Sequence, residues 1–172
     1  TLYVMIVLGL TMGMQPIVGY NFGAQKIDRV KQTLRLGIIS GVVITSSGFV
    51  ICEFFPHAVS ALFTDSDELI NLAVEGIRLA VLMFPFVGAQ IVIGNFFQSI
   101  GKAKISIFLS LTRQLLYLLP CLLLFPQWWG LKGVWISMPV SDALAFVTAV
   151  ISLMIYIKKV SKEHPIANKV AE

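Results

Sequence analysis

Five long apolar runs, separated by short breaks that alternate in charge, limit what this chain of 172 residues can become. The first break, residues 23–35, holds Lys26, Arg29, Lys31 and Arg35. The next, 55–69, holds Asp65, Asp67 and Glu68 and no Lys or Arg. Residues 101–104 are basic again through Lys102 and Lys104, and Pro126-Gln127-Trp128-Trp129-Gly130 has only Lys132 beside it. The tail, 158–172, brings Lys158, Lys159, Lys162 and Lys169. Basic residues gathered at every second break are the positive-inside pattern of a polytopic membrane protein.

The composition agrees. Only 13% of the residues are charged and 57% are hydrophobic, where soluble domains carry about 25% charged residues. So few charges cannot cover the surface of a water-soluble protein of this size. The net charge of +4 does not point to nucleic acid, because the basic residues cap apolar runs and form no patch with interleaved aromatics. No nucleic-acid partner is expected; the lipid bilayer is.

A spanning helix needs about 20 mostly apolar residues. The expected spans are 1–22, 35–55, 72–97, 105–125 and 133–157. In hydrocarbon each backbone N–H and C=O must be satisfied within its own segment, so these runs are predicted as helices. The alternating polarity of a β-barrel is absent. The predicted fold is an all-α, polytopic membrane bundle of five transmembrane helices. Ten of the thirteen Lys and Arg fall in 23–35, 98–104 and the tail, which are therefore expected on the cytoplasmic side. Thr1 then starts outside, and Trp128, Trp129 and Trp135 sit at the outer interface, where indole prefers to lie. The chain begins at Thr1 inside an apolar run, which reads as a piece of a longer protein. Residues 58–63 read as a short surface helix, after which Thr64 or Ser66 caps the third span. Glu75 and Arg78, three apart, are expected to pair.

Small residues recur at helical spacing: Gly9 and Gly13, Gly19 and Gly23, Gly37 and Gly41, continuing with Thr45 and Gly48. They predict close helix packing. Pro16 follows Gln15 in the first span, and Pro85 in the third predicts a kink in a span that also carries Gln90, Asn95 and Gln98. The fourth span has a polar face of Ser106, Ser110, Arg113 and Tyr117. At 1.5 Å per residue, Arg113 lies roughly 12 Å from the basic end of its span, and Asp142 roughly 14 Å from the outer end of the fifth. In a core of about 30 Å the two share a depth. A lone charge there costs at least about 2.5–3.5 kcal/mol, so they are expected to pair. Such a pair either fixes register or lines a path for a cation or substrate.

No motif of an enzyme appears: there is no HExxH, GxSxG or Walker loop, and His57 and His164 lie at opposite ends of the spans. No metal site or cofactor is expected. Cys52 and Cys121 read as separate apolar packing residues.

Several segments carry a resemblance. Gln15-Pro16-Ile17-Val18-Gly19-Tyr20-Asn21-Phe22-Gly23-Ala24 resembles the eighth helix of MATE proteins, the multidrug and toxic compound extrusion family. Phe97-Gln98-Ser99-Ile100-Gly101-Lys102-Ala103 resembles the loop after their tenth helix. Arg113-Gln114, Pro120 and Gly130-Leu131-Lys132-Gly133-Val134-Trp135 resemble their last hairpin, with Pro139 and Asp142 in the twelfth helix. The resemblance implies helices eight to twelve of a twelve-helix transporter: the C-terminal lobe without its first helix, working with an N-terminal lobe absent from this chain. It implies a multi-pass protein of the plasma (inner) membrane that exports cationic or amphiphilic small molecules against H+ or Na+ by alternating access. A lipid-linked oligosaccharide flippase of the same superfamily is the alternative. Residues 84–98 contain no Asp or Glu, which speaks against a Na+ ligand in that helix. Gln15, Gln90, Arg113 and Asp142 are the cavity candidates. The fragment alone is expected not to transport.

Overall fold

A computed structural model describes residues 2–62, 64 and 66–163, with side chains placed from 3 to 160. Thr1, Phe63, Asp65 and residues 164–172, with His164 and Lys169, lie outside the described residues. All regular structure among the described residues is helical. In order these are α1 (Leu2–Gly23), α2 (Ile27–Phe54), α3 (Pro56–Ala61), α4 (Asp67–Val81), α5 (Phe84–Ser99), α6 (Ala103–Leu111), a π-helical stretch (Thr112–Leu118), α7 (Leu119–Trp129) and α8 (Leu131–Glu163).

Four of the passes are single helices or unbroken helical runs, and a bent pair makes a fifth when counted as one span. α1, α2 and α8 are each long and apolar enough to cross a bilayer. So is Ala103–Trp129, in which α6, the π stretch and α7 run on without a break. The remaining pass is α4 plus α5, bent by 49°. The cause is Pro85. It lacks the N–H that would bond the Val81 carbonyl, so the helix stops at Val81 and restarts with Pro85 in the first turn of α5, where that N–H has no partner anyway. Pro16, by contrast, is carried inside an unbroken α1.

The basic break expected at 23–35 is shorter than the charges suggested. Only Ala24–Lys26 turn, and α2 already begins at Ile27, so Arg29, Lys31 and Arg35 are helical. Lys and Arg are good helix formers whose stems lie along apolar surface while their heads reach water. The turn itself is a Schellman cap. The Lys26 N–H donates to the Asn21 carbonyl and that of Gln25 to Phe22. The turn after α5 repeats the pattern, with Lys102 N–H to Phe97 and Gly101 N–H to Gln98. Gly101 takes the left-handed position at φ 75°, as the motif favours; in the first turn Gln25 is held there at φ 59°.

α5 is the centre of the bundle and touches α1, α2, α6 and α8. Its Val92, Ile93, Phe96 and Phe97 form the core with Val7, Met14 and Val18 of α1, Val30 and Leu34 of α2, and Ala149 and Leu153 of α8. Gly37, Gly41, Thr45 and Gly48 make one buried stripe on α2. A Cβ on Gly41 would lie 3.0 Å from Val92 and 3.1 Å from the Gly88 carbonyl oxygen, and one on Gly88 would strike the Gly41 carbonyl. The predicted close packing is thus real for Gly37, Gly41 and Gly48. A Cβ on Gly9, Gly13 or Gly23 would meet nothing within 4 Å.

The surface helix is α3, Pro56–Ala61, starting two residues before the expected Ala58 because Pro56 is pre-set for a first helical turn. Ser66 is the N-cap of α4, without a side-chain bond to the helix. Glu75 and Arg78 do not pair. The Glu75 carboxylate takes Lys132 at 2.6 Å and Arg78 reaches Glu53 at 3.7 Å. Each pair ties two helices together. All four side chains are at least a third exposed, so these contacts stabilise little. Trp128 and Trp129 are exposed and meet edge to face, while the Trp135 ring is laid over Gly76. Cys52 and Cys121 are free thiols on different helices.

Candidate functional site

The polar residues of the fourth pass and of α5 meet across a cavity of about 300 Å³. Its wall comes from Leu8 of α1, from Gln90, Ile91, Gly94, Asn95 and Gln98 of α5, and from Ser106, Leu109, Ser110, Arg113 and Gln114 of the fourth pass. Arg113 stands one residue into the π stretch. Pro120 follows that stretch and cannot donate to Leu116, and the widened turn absorbs the fault. One extra residue per turn also rotates the polar face of α6 with respect to α7.

Arg113 and Asp142 meet. Nε and Nη2 of the guanidinium both donate to Oδ1 of Asp142, each at 2.9 Å. The arginine side chain is 34% exposed and the aspartate 11%. Arg113 therefore faces the cavity, and Asp142 stands behind it and is not on the wall. Four residues on, the Tyr117 hydroxyl lies 2.8 Å from Oγ1 of Thr148. Thr148 gives its one hydrogen to the Leu144 carbonyl, so Tyr117 is the donor. Two polar contacts thus hold the π stretch to α8, each closing a side chain that would be costly to leave unpaired in a bilayer.

Gln15 is not on the cavity wall either. Its Nε2 donates to Oδ1 of Asn95 at 3.3 Å, and Asn95 in turn donates to the Ile91 carbonyl. It supports a wall residue from the neighbouring helix. Gln90 is on the wall, 8% exposed, and its Oε1 is shut from solvent with no hydrogen-bond partner. Of the four candidates, then, Gln90 and Arg113 line the cavity and Gln15 and Asp142 hold it from behind. Thr148 was not singled out from sequence. The available signal was Tyr117 itself, since a phenol at mid-depth requires a partner on a facing helix. A larger open groove of about 680 Å³ lies at the basic end, with Lys102 and Lys159 on its wall. It contains none of the four candidates.

The long apolar helices, with an ion pair set at the wall of a polar cavity, are the architecture of a polytopic membrane protein. The MatE family model matches residues 1–123, and the chain belongs to that family. Among curated relatives, the multidrug export protein MepA of Staphylococcus aureus (strain MSSA476) is 24% identical over 157 residues, 89% of this chain and 33% of its own length. A FAD transporter of Shewanella oneidensis is 23% identical over 81% of this chain and 31% of its own. Among solved structures, the MATE multidrug transporter DinF-BH, captured as a complex, is 37% identical over 88% of this chain and 34% of that one, with a TM-score of 0.83. An inward-facing MATE family transporter of the MOP superfamily matches 94% of this chain and 38% of its own, at 19% identity and a TM-score of 0.87. The chain spans about a third of the length of the relatives it matches.

Proposed function

We propose that this chain is the C-terminal lobe, helices eight to twelve, of an exporter of small amphiphilic molecules, and that the exporter works by alternating access against an inward H+ or Na+ gradient. The observation that carries this is 37% identity, over 88% of the chain, to a MATE multidrug transporter of known structure. The bent α4–α5 pass and the half-buried Arg113–Asp142 pair suit a bundle that rocks against a second one across a polar path. The basic ends at Lys26–Arg35 and Lys102–Lys104 lie in the cytoplasm of this reading, and the membrane is the plasma membrane.

Organic cations belong to the proposed range of substrates. Among the described residues the cavity wall offers them no carboxylate, so their counter-charge comes from the other lobe. The flippase alternative is less well supported. A pyrophosphate-linked sugar calls for several basic residues, and Arg113 is the one basic residue on this wall.

The test is dye efflux from cells that express the full-length protein containing this chain, in a host without its own major drug pumps. Export that stops when the proton gradient is collapsed, or when Na+ is removed, is expected and names the ion. Absence of gradient-dependent export of every amphiphile tried would overturn the reading. The 172 residues alone should export nothing.

A further inference from the structure

The open groove of about 680 Å³ at the basic end runs between α6 and α8, with the turn after α1 at its head. Lys102 stands just before α6, and Ile105 and Phe108 follow it at three-residue steps along one face. α8 brings Lys159 to the same end, with Ile155 one turn before it. At 1.5 Å per residue, Phe108 lies about 9 Å deeper than Lys102, and Ile155 about 6 Å deeper than Lys159. The groove is thus charged at its mouth and apolar beneath, and Phe108 and Ile155 are 56% and 64% exposed. Among the described residues the wall carries no acidic side chain, and Lys102 has no acidic partner. Gln25 also stands at the mouth, held at φ 59°, where the matching position in the turn after α5 is Gly101. Glycine would be less strained in that conformation; glutamine adds an amide beside the two lysines.

We propose that this groove holds one anionic glycerophospholipid from the bilayer leaflet at the basic end, its phosphate at Lys102 and Lys159 and its acyl chains along Ile105, Phe108 and Ile155. The order of chemistry along the wall favours a lipid over other anions. A water-soluble phosphate would use the lysines and leave the apolar floor wet. A zwitterionic lipid would bring an ammonium group of its own to two others, with no carboxylate on the wall to receive it. An anionic headgroup with two chains satisfies both ends at once. Lysine suits it, because an ammonium group is a point charge that imposes no fixed plane on a mobile headgroup. Basic pockets between membrane helices are where anionic headgroups collect. The volume has room for a headgroup and the first part of its chains. The site is separate from the cavity at Arg113. It requires only that the helices span a bilayer and does not depend on what the protein exports.

The experiment uses the purified, delipidated full-length protein in detergent, with bound lipid counted by native mass spectrometry. The probes are dioleoyl phosphatidylglycerol, which is anionic, and dioleoyl phosphatidylcholine, which has the same chains and no net charge. The anionic lipid should bind about thirtyfold more tightly, at about fivefold for each of the two lysines. Lys102→Gln should remove about fivefold of that preference, and Lys102→Gln with Lys159→Gln should remove it all. Lys104→Gln makes the same charge change at the same end but off the wall, and should cost less than about twofold. Glycerol 3-phosphate at millimolar concentration should displace no lipid. These lysines are exposed, so the variants should fold. Equal binding of the two lipids, or binding of neither, would overturn the proposal and mean that the rest of the full-length protein covers the groove. A loss in Lys104→Gln as large as in Lys102→Gln would overturn it in favour of a diffuse basic surface. Displacement by glycerol 3-phosphate would overturn it in favour of a soluble anion. A protein that shows the lysine-dependent preference yet exports no dye from cells would contradict the export reading and leave this one standing.

Discussion

The seam between α2 and α5 and the seam between the π stretch and α8 hold the same bundle together by opposite means. In the first, side chains are missing. Gly41 and Gly88 bring two backbones so close that neither could carry a Cβ without meeting the other helix, and Thr45 returns its hydroxyl to its own helix at Gly41. In the second, long polar side chains cross the gap: Arg113 to Asp142 and Tyr117 to Thr148. The first seam depends on shape alone and is indifferent to charge. The second depends on every polar partner being present, and it borders the cavity.

That contrast gives three predictions, each measured as the change in unfolding free energy of the full-length protein in detergent. The largest effect belongs to Asp142→Leu, which leaves the Arg113 charge without its partner. A loss of about 3 kcal/mol is expected, the low end for a broken buried pair, because the arginine is a third exposed. A loss below about 1 kcal/mol would mean that water already satisfies Arg113. Next comes Gly88→Val. Its Cβ runs into the Thr45 hydroxyl and into the Gly41 carbonyl, which is backbone and cannot swing away. About 2–3 kcal/mol should be lost by forced separation of the helices, and a neutral result would refute the shape-only account of this seam. The smallest is Tyr117→Phe, which removes one hydrogen bond and keeps the ring. Hydrogen bonds between membrane helices average about 0.6 kcal/mol, and a loss near that value is expected. A loss as large as that of Asp142→Leu would move the weight of the seam from the ion pair to the phenol.

Much of this was legible because hydrocarbon permits few alternatives. Runs of about 20 apolar residues must be helices, and Pro85 must break one, although the break falls at Leu82–Met83 and not at the proline itself. Arg113 and Asp142 could be matched by depth because each is costly alone. The π stretch was not legible: nothing in Thr112–Leu118 by itself asks for a wider turn, and the fault is set by Pro120 together with packing against α8. Gly88 was missed because its spacing partner is on another helix. The pairs Glu53–Arg78 and Glu75–Lys132 were missed for the same reason, since spacing along one helix does not show what a neighbouring helix offers. The unpartnered Gln90 oxygen is visible only once the helices are assembled.

The central claim is that the Arg113–Asp142 pair lies on the path of transport and is more than a register pin. The direct test replaces both charges with apolar residues of similar size, Arg113→Met with Asp142→Leu, in the full-length protein. Paired apolar replacement of a buried ion pair is often neutral for stability, so the protein should still fold and reach the membrane. Gradient-driven export of an amphiphilic dye that the parent protein exports should nonetheless fall to background. A folded double variant that exports this dye at the rate of the parent protein would contradict the claim and leave the pair only the task of aligning two helices.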